Sequence, residues 1–352
     1  MNAAIKRGLA MAALSQFVAG ASAQTVNISG SVDEGYRRIG GADTMAPSNS
    51  TRDIVLFTGN EDLGGGNSIF FYIQNRFTLA NGQMNGANAV DPVTSKSGKQ
   101  TLNPNVDLTQ QPYRQDWIGW RNNLIGDVRL GRMQFPLQEL NGNYDAFDTS
   151  TVASVHTGGV EASMRTNGTI YFRSAFFYGF RLHVAYATRD NGGTQGFIQT
   201  PTTVGQPMAL SNSVAPEGAG LEYNHGAVSL SLAYDRNGAN LKSTGAYGSY
   251  NFGWFKAFTQ LEQAQMDYNG TMDRRWSVSV AIPFGVGNKV KVGYLQSNNT
   301  ALPGISKKFG IGVDYSLSKL TTVYTDFAKM GGKENTQANN LPRFDIGLWH
   351  RF

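Results

Sequence analysis

Acidic side chains gather in one segment of this chain, residues 133–165, which reads MQFPLQELNGNYDAFDTSTVASVHTGGVEASMR. Its acids are Glu139, Asp145, Asp148 and Glu161. Carboxylates of this kind can set the electric field of a narrow aqueous passage, because low-dielectric walls focus the field of fixed charges. A solvated surface loop is the commoner explanation of such a segment. The residues alone leave both explanations open.

Arginines in strand-like segments could supply the opposite charge. Arg76 lies on the polar side of its segment by alternation. Arg37, Arg114 and Arg132 lie near the ends of such segments, where alternation is a weaker guide. Arg132 shares the parity of the apolar residues before it, so it would reach the polar side only if the strand bends or ends there. We therefore expect a basic wall of Arg76, Arg114, Arg132 and Arg37 facing an acidic loop.

Patterns typical of enzymes and metal sites are missing from the sequence. The chain has no cysteine, which excludes disulfides, thiol nucleophiles and cysteine metal sites. None of the four histidines, His156, His183, His225 and His350, has HExxH spacing. The SGK at 97–99 lacks the glycine of a phosphate loop, and no GxSxG is present. We predict that the chain is not an enzyme.

Cofactors and nucleic acid are likewise not expected. Loops rich in Asp and Asn, such as TRDNGG at 188–193, could take Ca²⁺, although turn chemistry is the commoner reason for such residues. The predicted cofactor set is therefore none, with calcium in the loops as a minor alternative.

The N-terminus resembles an export signal. Lys6 and Arg7 precede an apolar stretch, and Ala21-Ser22-Ala23 forms an A-x-A cleavage site. We expect residues 1–23 to be removed, leaving residues 24–352 as one domain. Loss of the two bases lowers the formal net charge from +5 to +3.

The rest of the chain alternates between apolar and small or polar residues. AVSLSLAY at 227–234, for example, sets Val228, Leu230 and Leu232 against Ser229 and Ser231. Charged residues make up 16% of the chain, below the roughly 25% of soluble domains. Many such strands without a core-packing helix indicate a closed barrel that is apolar outside and polar inside.

Connections between these segments alternate between short and long. Seven short and eight long connections join sixteen strands, the pattern of bacterial outer-membrane barrels. The chain ends RFDIGLWHRF, in which Phe344, Ile346, Leu348 and Phe352 share one face. We expect Phe352 to face lipid and the last strand to pair with the first near Val26, because a spanning sheet cannot leave an unpaired edge.

Four stretches resemble the Gram-negative general porins of Burkholderiales and Neisseria: VNISGSVDEGY at the first strand, GNEDLGGG at 59–66, GDVRLGR at 126–132 and LWHRF at 348–352. The resemblance spans the mature chain, with departures at RDIVLFTG and in the second and fourth long loops. It implies an all-β, 16-stranded antiparallel transmembrane β-barrel whose third long loop folds inward, and a homotrimer in the outer membrane. It also favours the inward placement of the loop at 133–165.

The function expected from these features is a water-filled channel for passive diffusion of small hydrophilic solutes and ions. The excess of basic residues predicts a preference for anions. Expected partners are outer-membrane lipid and lipopolysaccharide, and a rim contact with lipopolysaccharide phosphate is an equally open role for each arginine. Alternatives are a porin tuned to small organic acids and a barrel-embedded outer-membrane hydrolase.

Overall fold

Sixteen long antiparallel strands dominate the computed structural model of the chain. The structure describes residues 25–39, 41–45, 52–80, 113–156, 165–188, 214–238, 240–265, 272–300, 305–332 and 342–352, with a few isolated residues between them. The expected signal peptide lies outside the described residues.

The strands follow one another around a single sheet. They are β1 (Thr25–Ile39), β2 (Ile54–Gly64), β3 (Asn67–Thr78), β4 (Tyr113–Asn122), β5 (Gly126–Met133), β6 (Thr166–Ser174), β7 (Phe180–Ala187), β8 (Glu217–His225), β9 (Val228–Arg236), β10 (Lys242–Asn251), β11 (Lys256–Gln265), β12 (Met272–Phe284), β13 (Asn288–Asn299), β14 (Ser306–Ser316), β15 (Thr321–Gly332) and β16 (Arg343–Arg351). Between β5 and β6 lie the helix α1 (Pro136–Asn141) and a 3₁₀ turn (Gly142–Tyr144). Four shorter strands lie in the long connections at Ala42–Thr44, Gln83–Met84, Val93–Thr94 and Gln100–Thr101.

Pairing of the last strand with the first closes the sheet. Each strand pairs antiparallel with its neighbour in sequence, and β16 pairs with β1 from Ser31–Arg351 to Arg38–Phe344. The predicted 16-stranded antiparallel barrel, with tight turns at one end and longer connections at the other, is confirmed. In outer-membrane barrels the end with short turns faces the periplasm.

The position of the closing pair differs from the prediction. Val26 pairs with Gly59 on β2, and the end of the chain instead meets β1 at Gly30. The first half of β1 pairs with β2 and the second half with β16, because the strands of a barrel are staggered. Near Val26, the partner of β1 is therefore β2.

Two chemically different faces result from the alternation. Apolar side chains such as Leu182, Leu232, Ile311 and Phe327 are exposed, and the residues between them are buried or polar. In a closed barrel the exposed apolar set is the outer wall and the alternate set lines the lumen. Among the described residues, no helix has the length and apolar character needed to span a membrane.

Candidate functional site

The segment that follows β5 packs against the lumen face of the opposite wall. Pro136 occupies the first turn of α1, where its missing N–H costs nothing, and Leu137 and Leu140 are buried. The Leu137 N–H lies 3.3 Å from an Asp235 carboxylate oxygen on the lumen face of β9. The segment thus crosses from β5 to strands several positions away around the barrel.

Tyr144 anchors the middle of this segment. Its hydroxyl lies 2.7 Å from Ser231 Oγ and 3.0 Å from Ser229 Oγ on β9. Its ring stacks on Tyr247 of β10 with centroids 5.6 Å apart, and its carbonyl accepts a 2.8 Å hydrogen bond from Gln260 of β11. Small serines on the lumen face therefore serve as partners for the segment.

The second half of the segment forms an apolar cluster inside the barrel. Phe147, Val152, Ala153 and Val155 are all buried. The wall at this point is Gly310 of β14, where a Cβ atom would lie 2.4 Å from the Ala153 carbonyl oxygen. Glycine is needed there because the segment touches the strand backbone.

Asp145 is buried within the segment, at 4% exposure. Its carboxylate accepts hydrogen bonds from the N–H groups of Phe147 and Thr149, each at 3.2 Å, and from Ser154 Oγ at 2.6 Å. The charge of Asp145 is therefore directed into the fold of the segment. This differs from the expectation that it presents its charge to the passage.

Asp148, by contrast, presents its carboxylate to basic residues of the wall. It lies 2.9 Å from Lys289 Nζ and 3.9 Å from Arg52 Nη2. Both Asp148 and Thr149 have positive φ, at 54° and 60°, a sparsely populated conformation that this turn imposes. Burial raises the pKa of Asp148, but the charges of Lys289 and Arg52 outweigh it and hold the pKa below its usual range.

The wall beneath this contact is a chain of ion pairs. Lys289 lies 3.3 Å from Asp314, and Lys291, which is fully buried, contacts Asp314 and lies 3.1 Å from Asp326. Buried charges of this kind remain ionised only when they are paired and hydrogen-bonded. This part of the wall thus holds positive and negative charge in close balance.

Glu139 lies in a second ionic group, at the start of the segment. Its carboxylate is 3.4 Å from Arg129 Nη1. The Asp127 carboxylate forms ion pairs with two arginines. Its Oδ1 lies 2.7 Å from Arg129 Nε, and its Oδ2 lies 2.9 Å from Arg173 Nη2. The structure therefore divides the predicted acids between two places, with Glu139 beside Arg129 and Asp148 beside Lys289.

The four predicted arginines do not form one group with these acids. Arg76 lies on the lumen face of β3, opposite Ile54 and on the face of Gln74, as its parity predicts. Arg37 is buried on β1 opposite Asp345.

Arg132 is buried and donates a 2.6 Å hydrogen bond to Asn167 beside an irregularity in the β5–β6 register. The backbone of Arg114 belongs to β4, but its side chain lies outside the described part of the structure, as does Glu161.

Several charged lumen residues were missed by the sequence reasoning. Arg52 lies 3.3 Å from Asp33 and packs over the Trp349 ring at 4.3 Å. Lys289 and Lys291 alternate with valines in KVKVGY, so strand parity could have identified them. Nothing in the sequence around Arg52 indicates its partners, because they come from the two ends of the chain.

A hydrogen-bonded series on β6–β8 was also not foreseen. Tyr171 OH lies 2.8 Å from His183 Nδ1, and His183 Nε2 lies 3.3 Å from Glu222. Within the described residues, no group of three or more His, Cys, Asp or Glu side chains is arranged to hold a metal ion.

Comparison with known families accounts for most of the chain. The model of the family described as Gram-negative porin matches residues 9–335. The outer membrane porin protein 32 of Delftia acidovorans is 24% identical over 301 residues, which cover 82% of this chain and 77% of that protein.

Solved structures with a similar fold include porins and outer-membrane proteins. The anion-selective porin from Comamonas acidovorans superposes with a TM-score of 0.72 at 19% identity, over 94% of this chain and all of that one. The trimer form of OmpT, an outer membrane protein of Vibrio cholerae, gives 0.64 at 11% identity, again over 94% of this chain and 100% of its own. At these identities the likeness concerns the fold.

Proposed function

This chain belongs to the Gram-negative porin family, and we propose that the channel it forms prefers anions and assembles as a homotrimer. Family membership makes it an outer-membrane protein that forms a water-filled channel for small hydrophilic solutes, and not an enzyme. The anion preference and the trimer are the parts that need an argument from this chain's own residues.

Unequal pairing of acids and bases supports the anion preference. The described acids of the inward segment all have partners: Glu139 has Arg129, Asp148 has Lys289, and Asp145 is bonded within the segment. Arg76 has no carboxylate at ion-pair distance among the described residues, and its buried Nε has no hydrogen-bond partner there. The charge of Asp53 opposes that of Arg76 only from beyond ion-pair distance, and a cation placed in this way on the lumen face attracts anions and repels cations.

The test is the reversal potential of the purified protein in planar bilayers across a KCl gradient. If the channel prefers anions, the measured reversal potential has the same sign as the equilibrium potential of chloride. The opposite sign would mean that the acids of the inward segment govern permeation, and would overturn the proposal.

Interruptions of the outer apolar face support the trimer. Glu34 on β1 pairs with Leu348, and Asn75 on β3 pairs with Val55, so both have outward parity. Polar and ionisable side chains facing lipid are costly. Asn75 is already buried within the chain, whereas Glu34 is only partly buried, and a neighbouring subunit that covers β1 would shield it. Chemical crosslinking in native membranes should yield a trimer, and a protein that crosslinks only as a monomer would contradict it.

Outward basic side chains near the ends with long connections favour lipopolysaccharide as a lipid partner. Arg274, Lys307 and Lys329 are exposed near those ends of β12, β14 and β15. Phosphates of the outer leaflet lie at that level and pair well with arginine and lysine. Replacing these three side chains by Gln should reduce copurification of lipopolysaccharide with the folded protein, and unchanged copurification would contradict this contact.

A further inference from the structure

A cavity of about 480 Å³ opens on the lumen face toward the short-turn end of the barrel. Its wall comes from β1–β6 and from the beginning of the inward segment. The side chains that decide its chemistry are Tyr72, Trp117, Arg121, Arg129, Glu139 and Arg173. The volume falls within the range of about 300–1,000 Å³ that is usual for small-molecule sites. Neither Asp148 nor Lys289 lines it, so it is distinct from their contact.

One side of this cavity is aromatic. The rings of Tyr72 and Trp117 are parallel, with an interplanar angle of 1° and centroids 5.1 Å apart. Phe70 meets Trp117 edge-on at 5.4 Å and extends the apolar side toward Arg121. The two rings stack on each other, and the Arg129 guanidinium lies 4.8 Å from the centroid of the Trp117 ring. The face of Tyr72 that points away from Trp117 is therefore the one on which another planar ring can stack.

The other side of the cavity carries a net charge of one positive unit. Three guanidinium groups, of Arg121, Arg129 and Arg173, are balanced by only two carboxylates, Asp127 and Glu139. Arg129 and Arg173 are both ion-paired. Arg121 lies over the Phe70 ring at 4.2 Å and has no carboxylate at ion-pair distance in the described parts of the chain. It is therefore the arginine available to an incoming anion.

We propose that this cavity binds a planar aromatic monocarboxylate. The carboxylate pairs with Arg121, and the ring stacks on the face of Tyr72 that points away from Trp117. An arginine fork matches a carboxylate geometrically, and the unbalanced charge calls for a single negative group. The inference rests on the proposed function, because an anion-preferring channel is what brings carboxylates to this cavity.

The test compares two acids that differ in planarity. Benzoate and cyclohexanecarboxylate carry the same charge and carbon number, and each is titrated against the current of the purified protein in KCl. We expect benzoate to block with a dissociation constant at least about fivefold lower, because only its ring can stack. Equal block by the two acids, or no block by benzoate, would overturn the inference.

Variants identify the residues involved. Arg121→Gln should weaken benzoate block by about tenfold, the effect of losing one charge-assisted contact. Tyr72→Leu should bring the two acids close to equal affinity. Lys242→Gln, which removes an exposed, outward-facing base of β10, is the control and should leave block unchanged. A folded Arg121→Gln channel that binds benzoate like wild type would refute the assignment.

Failure of this inference and failure of the proposed function have different signatures. An anion-preferring channel that benzoate does not block defeats the aromatic site alone. A cation-preferring channel defeats the proposed anion preference, whatever benzoate does. Should Arg121→Gln not fold, Arg121→Lys retains the charge but loses the fork, and benzoate block as strong as in wild type would count against the site.

Discussion

The backbone of Phe352 exchanges two hydrogen bonds with the backbone of Gly30, at 2.9 and 3.0 Å. A Cβ atom on Gly30 would lie 2.8 Å from the end of the Phe352 ring, so the ring rests over a residue with no side chain. Phe352 is 50% exposed and lies on the outward face of the strand, as its alternation with Leu348 predicts. The last residue of the chain thus closes the barrel.

Deletion of Phe352 should impair assembly more than it changes channel properties. The truncated chain loses both hydrogen bonds to Gly30 and leaves part of β1 unpaired at the membrane, where an unsatisfied backbone group is costly. We expect a large fall in the amount of heat-resistant folded protein in the outer membrane. Phe352→Tyr retains the ring and backbone and is the control. Wild-type levels of the truncated protein would contradict this role.

Asp148→Asn should increase the anion preference. The change removes the negative partner of Lys289, whose ammonium then acts on the passage with less compensation. One charge about 6 Å from a permeating ion in water corresponds to roughly 0.7 kcal/mol before screening. Screening lowers this by about half at that distance, so we expect roughly a twofold rise in the chloride-to-potassium permeability ratio. Reversal potentials measure it. A lower ratio in the variant would show that Asp148 does not act by its charge.

Asp145→Asn should act differently, although it removes the same charge. The buried Asp145 carboxylate accepts two N–H groups and one hydroxyl, and an amide cannot accept all three equally well. Hydrogen bonds to a charged group contribute about 1.5–3 kcal/mol each, so the segment should lose order. We expect increased current noise with little change in reversal potential. A quiet channel with a shifted reversal potential would instead give Asp145 the role that the sequence suggested.

The pH dependence of ion selectivity should show in which pH range the Asp148 carboxylate becomes protonated. Its pKa is held below the ordinary value of 3.8, because the charges of Lys289 and Arg52 outweigh the effect of burial. A carboxyl group whose pKa is lower in the folded protein stabilises the fold above its unfolded pKa, and that stabilisation is lost as pH falls through the folded value.

Permeability ratios of wild type and Asp148→Asn should therefore differ at neutral pH and remain different down to about pH 4. They should converge only below that value, where Asp148 becomes protonated. Measurement in bilayers at matched ionic strength checks this. Convergence between pH 5 and 6 would mean that the basic partners do not hold the carboxylate in its charged form.

Alternation of apolar and polar residues in the sequence was sufficient to predict the strands. It also predicted, for residues in the middle of a strand, which face of the sheet the side chain lies on. It identified the sixteen strands and the lumen side of Arg76, because a period of two fixes the face of every residue in a regular strand. It was weaker at strand ends, where Arg132 lies beside a change of register.

Alternation in the sequence does not predict contacts between distant parts of the chain. The alternation in KVKVGY and FGIGVDY assigns a face to Lys291 and Asp314, but only the register between β13 and β14 brings them together. Asp145 illustrates the same limit, because the sequence does not reveal which backbone N–H groups surround a carboxylate. The partners of Arg52 depend on the closure of the barrel, which joins residues from both ends of the chain.

Arg76→Gln should lower the anion preference while leaving the barrel intact. Arg76 lies on the lumen face of β3, and no described carboxylate is close enough to pair with it. Charges farther than the Debye length of about 8 Å are screened at physiological ionic strength, so an unpaired arginine near the passage outweighs bases on distant loops. By the same Coulomb reasoning as for Asp148, we expect roughly a twofold fall in the chloride-to-potassium permeability ratio.

The matched control for Arg76 is Lys329→Gln, which removes a positive charge from the outward face of β15. This control should leave the reversal potential unchanged, because its charge is separated from the lumen by the wall. Gel mobility before and after heating checks that both variants fold. If the two variants shift the reversal potential equally, the net charge of the protein governs selectivity. If only Arg76→Gln shifts it, and toward potassium, the selectivity depends on an unpaired base on the lumen wall.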